Sequence, residues 1–304
     1  MIDLHLHFDG SLLPRTVLEL AQEQGILLPA TEPDELKLFL AAPEECGSLN
    51  EYLEKFDLPL QVLQTKEAVR KAMYILVSSL KEQGMLYAEI RFAPQLHTKK
   101  GMSQEQVVKA ALSGMQEALI GSFFNCKLIL CCMRGADNLG ENLLTVRTAA
   151  TFLGRGVAAV DLAGAEALYP TADFADVFGL AKELGVPFTI HAGEADGPES
   201  IQAALAFGAS RIGHGVRAAE DPELLARLKE QQIPLEMCPS SNVQTKAVAT
   251  LAEHPVLDFL RRGLKVTINT DNMTVSDTTI EKEFGLLSRE LGMPAEERSE
   301  RPCF

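Results

Sequence analysis

The chain has 304 residues, of which 46% are hydrophobic, so it can bury one large core. Asp and Glu outnumber Lys and Arg by 42 to 28, and the resulting formal charge of −14 argues against nucleic acid or an anionic membrane as a partner. A neutral small molecule would not be repelled by this surface. The composition does not indicate an oligomeric state.

The N terminus and the cysteines predict a cytoplasmic protein. Residues 1–5 enter a strand-like pattern without a basic or apolar leader, so we expect no signal peptide. No apolar run approaches the ~20 residues that a membrane-spanning helix needs. The six cysteines include no C-x-x-C pair, and we expect reduced thiols, with Cys131 and Cys132 buried as small apolar side chains.

Eight strand-like runs alternate with amphipathic segments along the chain. The predicted strands are residues 2–7, 86–92, 127–133, 157–162, 187–191, 211–214, 233–236 and 266–270. The main predicted helices are residues 67–83, 104–120, 174–184, 200–207, 222–231 and 280–291. This alternation predicts a parallel sheet, and eight units favour an α/β fold closed into a (β/α)₈ TIM barrel. We expect residues 1–304 to form a single domain.

The first two predicted strands are separated by residues 8–85, more than one crossover helix needs. Within this stretch Leu49, Tyr52, Leu53 and Phe56 follow the i, i+3, i+4, i+7 spacing of a helix. We predict an insertion at about residues 30–75. By pattern alone, it fits a helix packed on the barrel and a helical lid over the barrel's mouth equally well. At the other end of the chain, the polar tail at residues 296–304 is expected to fray.

Four of the six histidines and one aspartate lie at the ends of predicted strands. His5 and His7 share one face of the first strand because side chains alternate, and His191, His214 and Asp271 end later strands. The C-terminal ends of barrel strands are where TIM-barrel active sites assemble. Histidine nitrogens with one carboxylate suit Zn²⁺, leave Fe²⁺, Ni²⁺ and Co²⁺ open, and disfavour Mg²⁺ or Ca²⁺.

Other polar residues have both a functional and an ordinary interpretation. Glu194 follows His191 closely, and apolar walls would raise its pKa and let it donate a proton to a substrate. A lone glutamate that opens a helix can equally serve the helix dipole. Asp9 could bind a substrate hydroxyl or form a turn before the first helix. His97 and His254 lie in polar, loop-like contexts, where solvated or capping roles suffice.

Seven segments, in this order, resemble the adenosine deaminase family of the amidohydrolase superfamily. They are HLHFDGS (5–11), YAEIRFAP (87–94), DLAGAE (161–166), HAGE (191–194), GHG (213–215), CPSSN (238–242) and NTD (269–271). The likeness runs from residue 2 to about residue 290, and the ordered set is far more specific than any one segment. The P-C-x-x-C signature of the other zinc deaminases is absent.

The resemblance implies a metal site and a set of catalytic groups. One Zn²⁺ per chain would be held by His5, His7, His191 and Asp271. Glu194 would protonate purine N1. His214 would orient and deprotonate the attacking water, helped by Asp271.

The resemblance also implies substrate contacts. Gly164 corresponds to the backbone group at purine N3, and Asp9 to the partner of the ribose 5′-hydroxyl. His7 lies close enough to the substrate to count among its contacts. The apolar gate of the family corresponds to Leu49, Tyr52, Leu53 and Phe56.

The implied reaction is hydrolytic deamination of adenosine or 2′-deoxyadenosine to inosine or 2′-deoxyinosine and ammonia, a step of purine salvage. Deamination of adenine or of a modified adenosine such as aminodeoxyfutalosine stays open. Two further alternatives are a non-catalytic nucleoside-binding barrel and a hydrolase of esters or lactams. The hydrolase commonly needs a bridging lysine on the fourth strand, which is missing here.

This chain departs from the family pattern in two places. Asn272 replaces the second of two aspartates after the last strand, and its amide can donate to a neutral purine N7. Substrate preference is therefore expected to shift. Relatives also continue for more helices after the last strand, so we expect thinner cover of the barrel wall there.

Overall fold

The computed structural model describes residues 1–294, and eight parallel strands form the centre of this part of the chain. The strands are β1 (Ile2–His7), β2 (Tyr87–Phe92), β3 (Asn125–Met133), β4 (Val157–Ala163), β5 (Thr189–Ala192), β6 (Arg211–His214), β7 (Leu235–Met237) and β8 (Val266–Ile268). The tail that is expected to fray, with Cys303, lies outside the described residues.

The strands close into a barrel across two seams. β1 to β4 form one sheet and β5 to β8 form another, each in chain order. At the first seam the N–H of Val160 donates to the carbonyl oxygen of Pro187 over 3.0 Å. At the second seam the N–H of Asp271 donates to the carbonyl oxygen of His5 over 2.8 Å. The α/β fold predicted from the alternation of strands and helices is confirmed.

The long connection from β1 to β2 contains four helices before its crossover helix. They are α1 (Pro14–Gln24), α2 (Pro33–Leu40), α3 (Leu49–Leu53) and α4 (Asp57–Val62). Ser48 caps the N terminus of α3, where its hydroxyl accepts the N–H of Glu51. The connection packs on the loop after β8, where the N–H of Ala42 donates to the carbonyl oxygen of Val275 over 2.8 Å.

The remaining helices follow the strands around the outside of the barrel. They are α5 (Lys66–Glu82), α6 (Gln104–Leu119), α7 (Leu139–Phe152), α8 (Ala175–Glu183), α9 (Pro198–Phe207), α10 (Pro222–Glu230), α11 (Pro239–Gln244), α12 (Val256–Arg261) and α13 (Ile280–Leu291). α5 is representative, since Thr65 caps its first turn and apolar side chains from Val69 to Leu80 face the barrel. No helix among the described residues is long and apolar enough to cross a membrane.

The structure differs from the sequence prediction at several element boundaries, and it contains helices outside the main predicted set, of which α7 is the longest. β5 begins at Thr189 instead of residue 187, where proline has no N–H for a strand ladder. β8 ends at Ile268, because the N–H and hydroxyl of Thr270 are bonded to the carboxylate of Asp3. The main predicted helices omit α7, whose buried face includes polar residues such as Asn142 and thus lacks a clear apolar period.

The expected solvated role is wrong for both remaining histidines, because each is buried. His97 is fully buried, with Nδ1 3.1 Å from the carbonyl oxygen of Leu63. His254 is 5% exposed, and its Nδ1 accepts the N–H of Val256 at the start of α12 over 3.2 Å, so the capping alternative fits it. The five described cysteines are buried and free, as expected for Cys131 and Cys132.

Candidate metal centre and active site

Four side chains converge inside the C-terminal mouth of the barrel. His5 and His7 come from β1, His191 from β5, and Asp271 from the loop after β8. His191 Nε2 lies 3.0 Å from His5 Nε2 and 3.2 Å from His7 Nε2. Asp271 Oδ1 lies 3.5 Å from His5 Nε2 and 3.4 Å from His7 Nε2. All four candidate ligand atoms thus lie within 4.8 Å of one another.

The outer nitrogens of two of these imidazoles face buried carboxylates. His5 Nδ1 lies 2.9 Å from Glu236 Oε2, and His191 Nδ1 lies 2.8 Å from Asp161 Oδ2, although the His191 N–H is not aimed directly at that oxygen. These contacts favour protons on Nδ1, so both Nε2 atoms present lone pairs to each other. Two facing lone pairs beside a carboxylate need a cation between them, and this donor set fits a divalent metal ion.

A buried arginine balances the two carboxylates. Arg91 is fully buried and donates to Asp161 over 2.9 Å and to Glu236 over 2.8 Å. Burial alone would raise the pKa of Glu236, but the Arg91 guanidinium holds that pKa well below its usual range. The carboxylates therefore stay charged and keep the imidazoles of the candidate ligands oriented.

Two residues of the site have strained backbones. His214 ends β6 with φ of 60°, and Asp271 follows β8 with φ of 58°. The left-handed region is uncommon for residues other than glycine, and such strain concentrates at functional sites. Here the turn directs both side chains into the mouth of the barrel.

Glu194 lies beside the histidine cluster in the loop after β5. It is 4% exposed, and its Oε2 lies 3.6 Å from His214 Nε2. Burial, together with the negative charges of Asp271 and Glu166, raises the pKa of Glu194 to about 8. A carboxyl group with that pKa is mostly protonated at neutral pH and can donate a proton.

A hydrogen-bond chain behind His214 sets the orientation of its ring. The N–H of Cys238 donates to Asn242 Oδ1 over 3.3 Å, and His254 Nε2 lies 3.1 Å from the same oxygen. The Asn242 amide nitrogen therefore faces His214 Nδ1, at 2.9 Å. Burial holds the pKa of His214 well below its usual range, so the ring is neutral and carries its proton on Nε2, which faces Glu194.

A cavity at the mouth of the barrel encloses about 820 Å³ of empty space, including the solvent at its opening. Every residue expected at the substrate lines it: His7, Asp9, Leu49, Tyr52, Leu53, Phe56, Gly164, Glu194, His214, Asp271 and Asn272. His5 lies behind them, at the metal centre. The candidate metal ligands therefore form the floor of a pocket that is large enough for a small molecule.

Three of the lining residues offer polar contacts to a ligand. Asp9 is 4% exposed, and its Oδ1 has no hydrogen-bond partner among residues 1–294. Asn272 Oδ1 is likewise buried without a partner among the described residues. Gly164 has φ of 110°, a conformation that glycine adopts without strain. A side chain at this position would be strained, and its Cβ atom would lie 3.4 Å from Arg134 Cβ and Met133 Cε.

Sequence reasoning missed several residues that support the site. It gave no role to Arg91, Asp161, Glu236 and Asn242, and it did not connect His254 with His214. One signal was available, since Arg91 and Glu236 are charged residues within buried strands, where a charge requires a partner. The pairing of His254 with Asn242 across a loop had no such signal.

Comparisons with known proteins agree with this geometry. The family model described as adenosine deaminase matches residues 1–300. The adenosine deaminase of Haemophilus ducreyi is 54% identical over 294 residues, which cover 95% of this chain and 86% of that protein. The adenosine deaminase of Enterococcus faecalis is 45% identical over 283 residues, covering 93% and 83%. The crystal structure of adenine deaminase from Arthrobacter aurescens matches with a TM-score of 0.88 at 29% identity, covering 98% and 89%.

These matches extend over nearly the whole barrel and include its catalytic face. The alternative of a non-catalytic nucleoside-binding barrel is set aside, because the similar proteins are named as enzymes. The cluster of three histidines and one aspartate provides the metal site that such hydrolases require. The chain belongs to the adenosine deaminase family and is a metal-dependent hydrolase that deaminates adenosine.

Proposed function

We propose that the chain holds one Zn²⁺ on His5, His7, His191 and Asp271 for the deamination of adenosine and 2′-deoxyadenosine. The proposal depends on one observation: His5 Nε2 and His191 Nε2 face each other at 3.0 Å while both Nδ1 atoms face carboxylates. Zinc prefers such a set of nitrogens with one carboxylate, whereas Mg²⁺ and Ca²⁺ prefer oxygen. Bound zinc supplies a Lewis acid that lowers the pKa of water towards ~7.

Glu194 is the proton donor in this proposal. The aromatic purine resists attack at C6 unless N1 gains a proton as C6 becomes tetrahedral. A protonated Glu194, whose pKa is raised to about 8, is suited to that transfer. General acid catalysis of this kind contributes typically ~10²–10⁴-fold to the rate. The C6 amino group takes up one proton of the attacking water and leaves as ammonia, while the proton of the new C6 hydroxyl returns to Glu194, and the product is inosine.

His214 and Asp271 act on the attacking water. The hydrogen bond from Asn242 leaves the proton of a neutral His214 on Nε2, so His214 orients the water as a donor. Asp271, whose pKa the surrounding histidines hold well below its usual range against the effect of burial, accepts the proton. The resemblance implies that His214 both orients and deprotonates this water; in our proposal His214 orients the water and Asp271 takes its proton.

The polar groups of the cavity recognise the nucleoside. We assign Asp9 Oδ1 to the ribose 5′-hydroxyl, because a buried carboxylate oxygen without a partner favours a ligand that donates to it. We assign the backbone N–H of Gly164 to purine N3 and the Asn272 side chain to purine N7. An asparagine amide can donate to a neutral N7, which a charged carboxylate cannot do.

The insertion at about residues 30–75 serves as the lid in this proposal. Leu49, Tyr52, Leu53 and Phe56 line the cavity on the side of α3 and α4 and form an apolar gate. Such a gate excludes water from the reacting atoms and covers the purine ring. We propose that residues 1–304 work as one catalytic domain with this lid, in the cytoplasm, where the buried thiols stay reduced.

A substrate panel tests the nucleoside assignment. Adenosine, 2′-deoxyadenosine, adenine and a 5′-modified adenosine are incubated with the protein, and metal content is measured on the same sample. We expect turnover of the two nucleosides and one zinc per chain. Turnover of adenine alone would show that the protein shares the substrate of its Arthrobacter aurescens structural neighbour and would overturn the Asp9 assignment. Preferred loading of iron, nickel or cobalt would overturn the choice of zinc.

The variant Glu194→Gln tests the acid. The amide cannot donate a proton to N1 as a carboxylic acid does, so we expect kcat to fall by ~10²–10⁴-fold. Zinc content and inosine binding should persist, because Glu194 is not among the four ligands. Glu230→Gln is the matched control, since Glu230 is exposed at the end of α10 and does not line the cavity. Full turnover by Glu194→Gln would refute the assignment.

A further inference from the structure

A buried glutamate holds the loop that carries Glu194. Glu166 is 1% exposed, and its carboxylate accepts four consecutive backbone N–H groups and one hydroxyl. The donors are the N–H groups of Gly193 at 2.7 Å, Glu194 at 3.0 Å, Ala195 at 2.7 Å and Asp196 at 3.1 Å, and the hydroxyl of Ser200. One side chain thus satisfies the whole turn that follows β5, including the backbone of Glu194 itself.

The backbone of this turn is shaped to surround an anion. Gly193 has φ of 70°, and a Cβ atom there would lie 2.5 Å from Ile201 Cδ1, so only glycine fits. The left-handed residue turns successive N–H groups towards one point, as in the backbone concavities that bind anions. Glu166 reaches that point from the loop after β4, two residues beyond Gly164.

The other end of the same segment is held by Arg134. Its guanidinium donates to the carbonyl oxygen of His191 over 2.6 Å and to the hydroxyl of Thr171 over 2.9 Å. The Thr171 hydroxyl lies 2.7 Å from that of Ser200, which in turn donates to Glu166. The segment from a candidate metal ligand to the candidate acid is therefore held at both ends by one connected network.

We propose that Glu166 is a positioning residue for deamination, whose carboxylate fixes the backbone of Glu194 and thereby the approach of the Glu194 carboxyl group to the purine ring. The inference rests on the proposed acid role of Glu194. The bonded N–H groups include those of the acid itself and of both its neighbours, so a displacement of the Glu166 carboxylate displaces the backbone of Glu194 directly. The charge of Glu166 also helps burial and Asp271 to raise the pKa of Glu194.

The variant Glu166→Gln tests this role. The carboxamide keeps one acceptor oxygen, but its NH₂ group faces backbone N–H groups, so the turn shifts away from it. We expect kcat to fall about 10²-fold, the scale of a 1 Å misplacement, with KM, inosine affinity and metal content unchanged. We also expect the alkaline limb of the kcat profile to move to lower pH, because a negative neighbour of Glu194 is lost. The shift of that limb reports the lost charge, whereas a fall of kcat at unchanged KM and metal content reports the displaced turn.

Two further variants separate the effect of the Glu166 charge from the effect of its side-chain length. Glu166→Asp keeps the negative charge on a shorter side chain, so the alkaline limb should return towards that of the unaltered protein while kcat stays reduced. Glu183→Gln is the matched control, since Glu183 is exposed at the end of α8 and is not among the residues that the Glu166 network joins. It should leave kcat and the pH profile unchanged.

The results distinguish this inference from the proposed function. Unchanged kcat and pH limb in Glu166→Gln, or a loss of kcat that only follows a loss of metal, would overturn the positioning role. If Glu166→Gln does not fold, Ser200→Ala removes one of the five donors, and an unchanged kcat in that variant would overturn it too. Full activity of Glu194→Gln would instead show that the acid assignment is wrong. An inactive Glu194→Gln beside a fully active Glu166→Gln would refute only the inference drawn here.

Discussion

The burial of His97 makes the stability of the protein depend on pH. The ring is enclosed by Phe8 and Phe92, with centroids 6.3 and 5.6 Å away, and has one hydrogen bond, to the carbonyl oxygen of Leu63. Its Nε2 has no hydrogen-bond partner among the described residues. Burial lowers the pKa of His97 from 6.5 to about 4, because a charged imidazole cannot be solvated there.

The sign and size of the effect follow from proton linkage. Between pH 6.5 and pH 4 the unfolded chain binds a proton at His97 and the folded chain does not, so stability falls as the pH falls through this window. The contribution of the neutral, buried His97 to the free energy of unfolding is complete above pH 6.5. At pH 5 the shift corresponds to a loss of about 2 kcal/mol relative to pH 7, and the loss approaches a limit of about 3 kcal/mol below pH 4.

Urea unfolding of the unaltered protein and of His97→Phe, each at pH 7 and pH 5, measures this contribution. Phenylalanine keeps the ring contacts and removes the titration, at a cost of about 1 kcal/mol for the bond to Leu63 at both pH values. The free energy of unfolding should therefore fall between pH 7 and pH 5 by about 2 kcal/mol less in the variant. Changes caused by other titrating groups, the metal ligands included, are common to both proteins. If the free energy of unfolding falls by the same amount between pH 7 and pH 5 in both proteins, the reasoning is refuted.

Three further expectations concern the site. Glu236→Gln should weaken metal affinity by about 10–100-fold, as loss of a carboxylate behind a ligand does. Glu283→Gln removes a buried carboxylate that accepts from Ser240 and Thr278 and should leave metal affinity unchanged; metal titration with a competing chelator measures both. Asp9→Asn should raise KM for adenosine by about 10-fold but leave KM for 5′-deoxyadenosine nearly unchanged. Equal increases in KM for both substrates would refute the contact between Asp9 and the 5′-hydroxyl. Tyr52→Phe loses a 2.7 Å bond to Ser276 and should raise KM about 5-fold, and Ser276→Ala should do the same. If the free-energy effect of the double variant, relative to the unaltered protein, equals the sum of the two single effects, the two hydroxyls do not act as a pair.

The metal centre could be predicted from sequence because barrel geometry is simple. Parallel strands place their C-terminal ends on one face, so His5, His191, His214 and Asp271 could be brought together without any knowledge of loops. Strand alternation also placed His7 beside His5. The structure brings these residues together in the mouth of the barrel, together with Glu194.

What escaped prediction lies in polar contacts that have no periodicity. Glu166 accepts N–H groups from residues 27 to 30 positions later, and no local pattern reveals that reach. Asn142 lies on the buried face of α7, where its side chain is hydrogen-bonded to the backbone of Met133 at the end of β3. The buried face of α7 therefore lacks the apolar pattern that predicts a helix. His254 looked solvated because its neighbours in sequence are polar, although its ring is buried against Asn242.

Closure of the barrel and assembly of the metal centre occur at the same seam. The N–H of His7 donates to the carbonyl oxygen of Asp271 over 2.6 Å, and the N–H of Asp271 donates to the carbonyl oxygen of His5 over 2.8 Å. The backbone of one candidate ligand is thus bonded between the other two, across the joint of β1 with the segment after β8. Because the seam aligns three of the four ligands, an ion that binds them also holds the first and last strands together. Metal binding and folding are therefore linked in this chain by its hydrogen bonds as well as by its side chains.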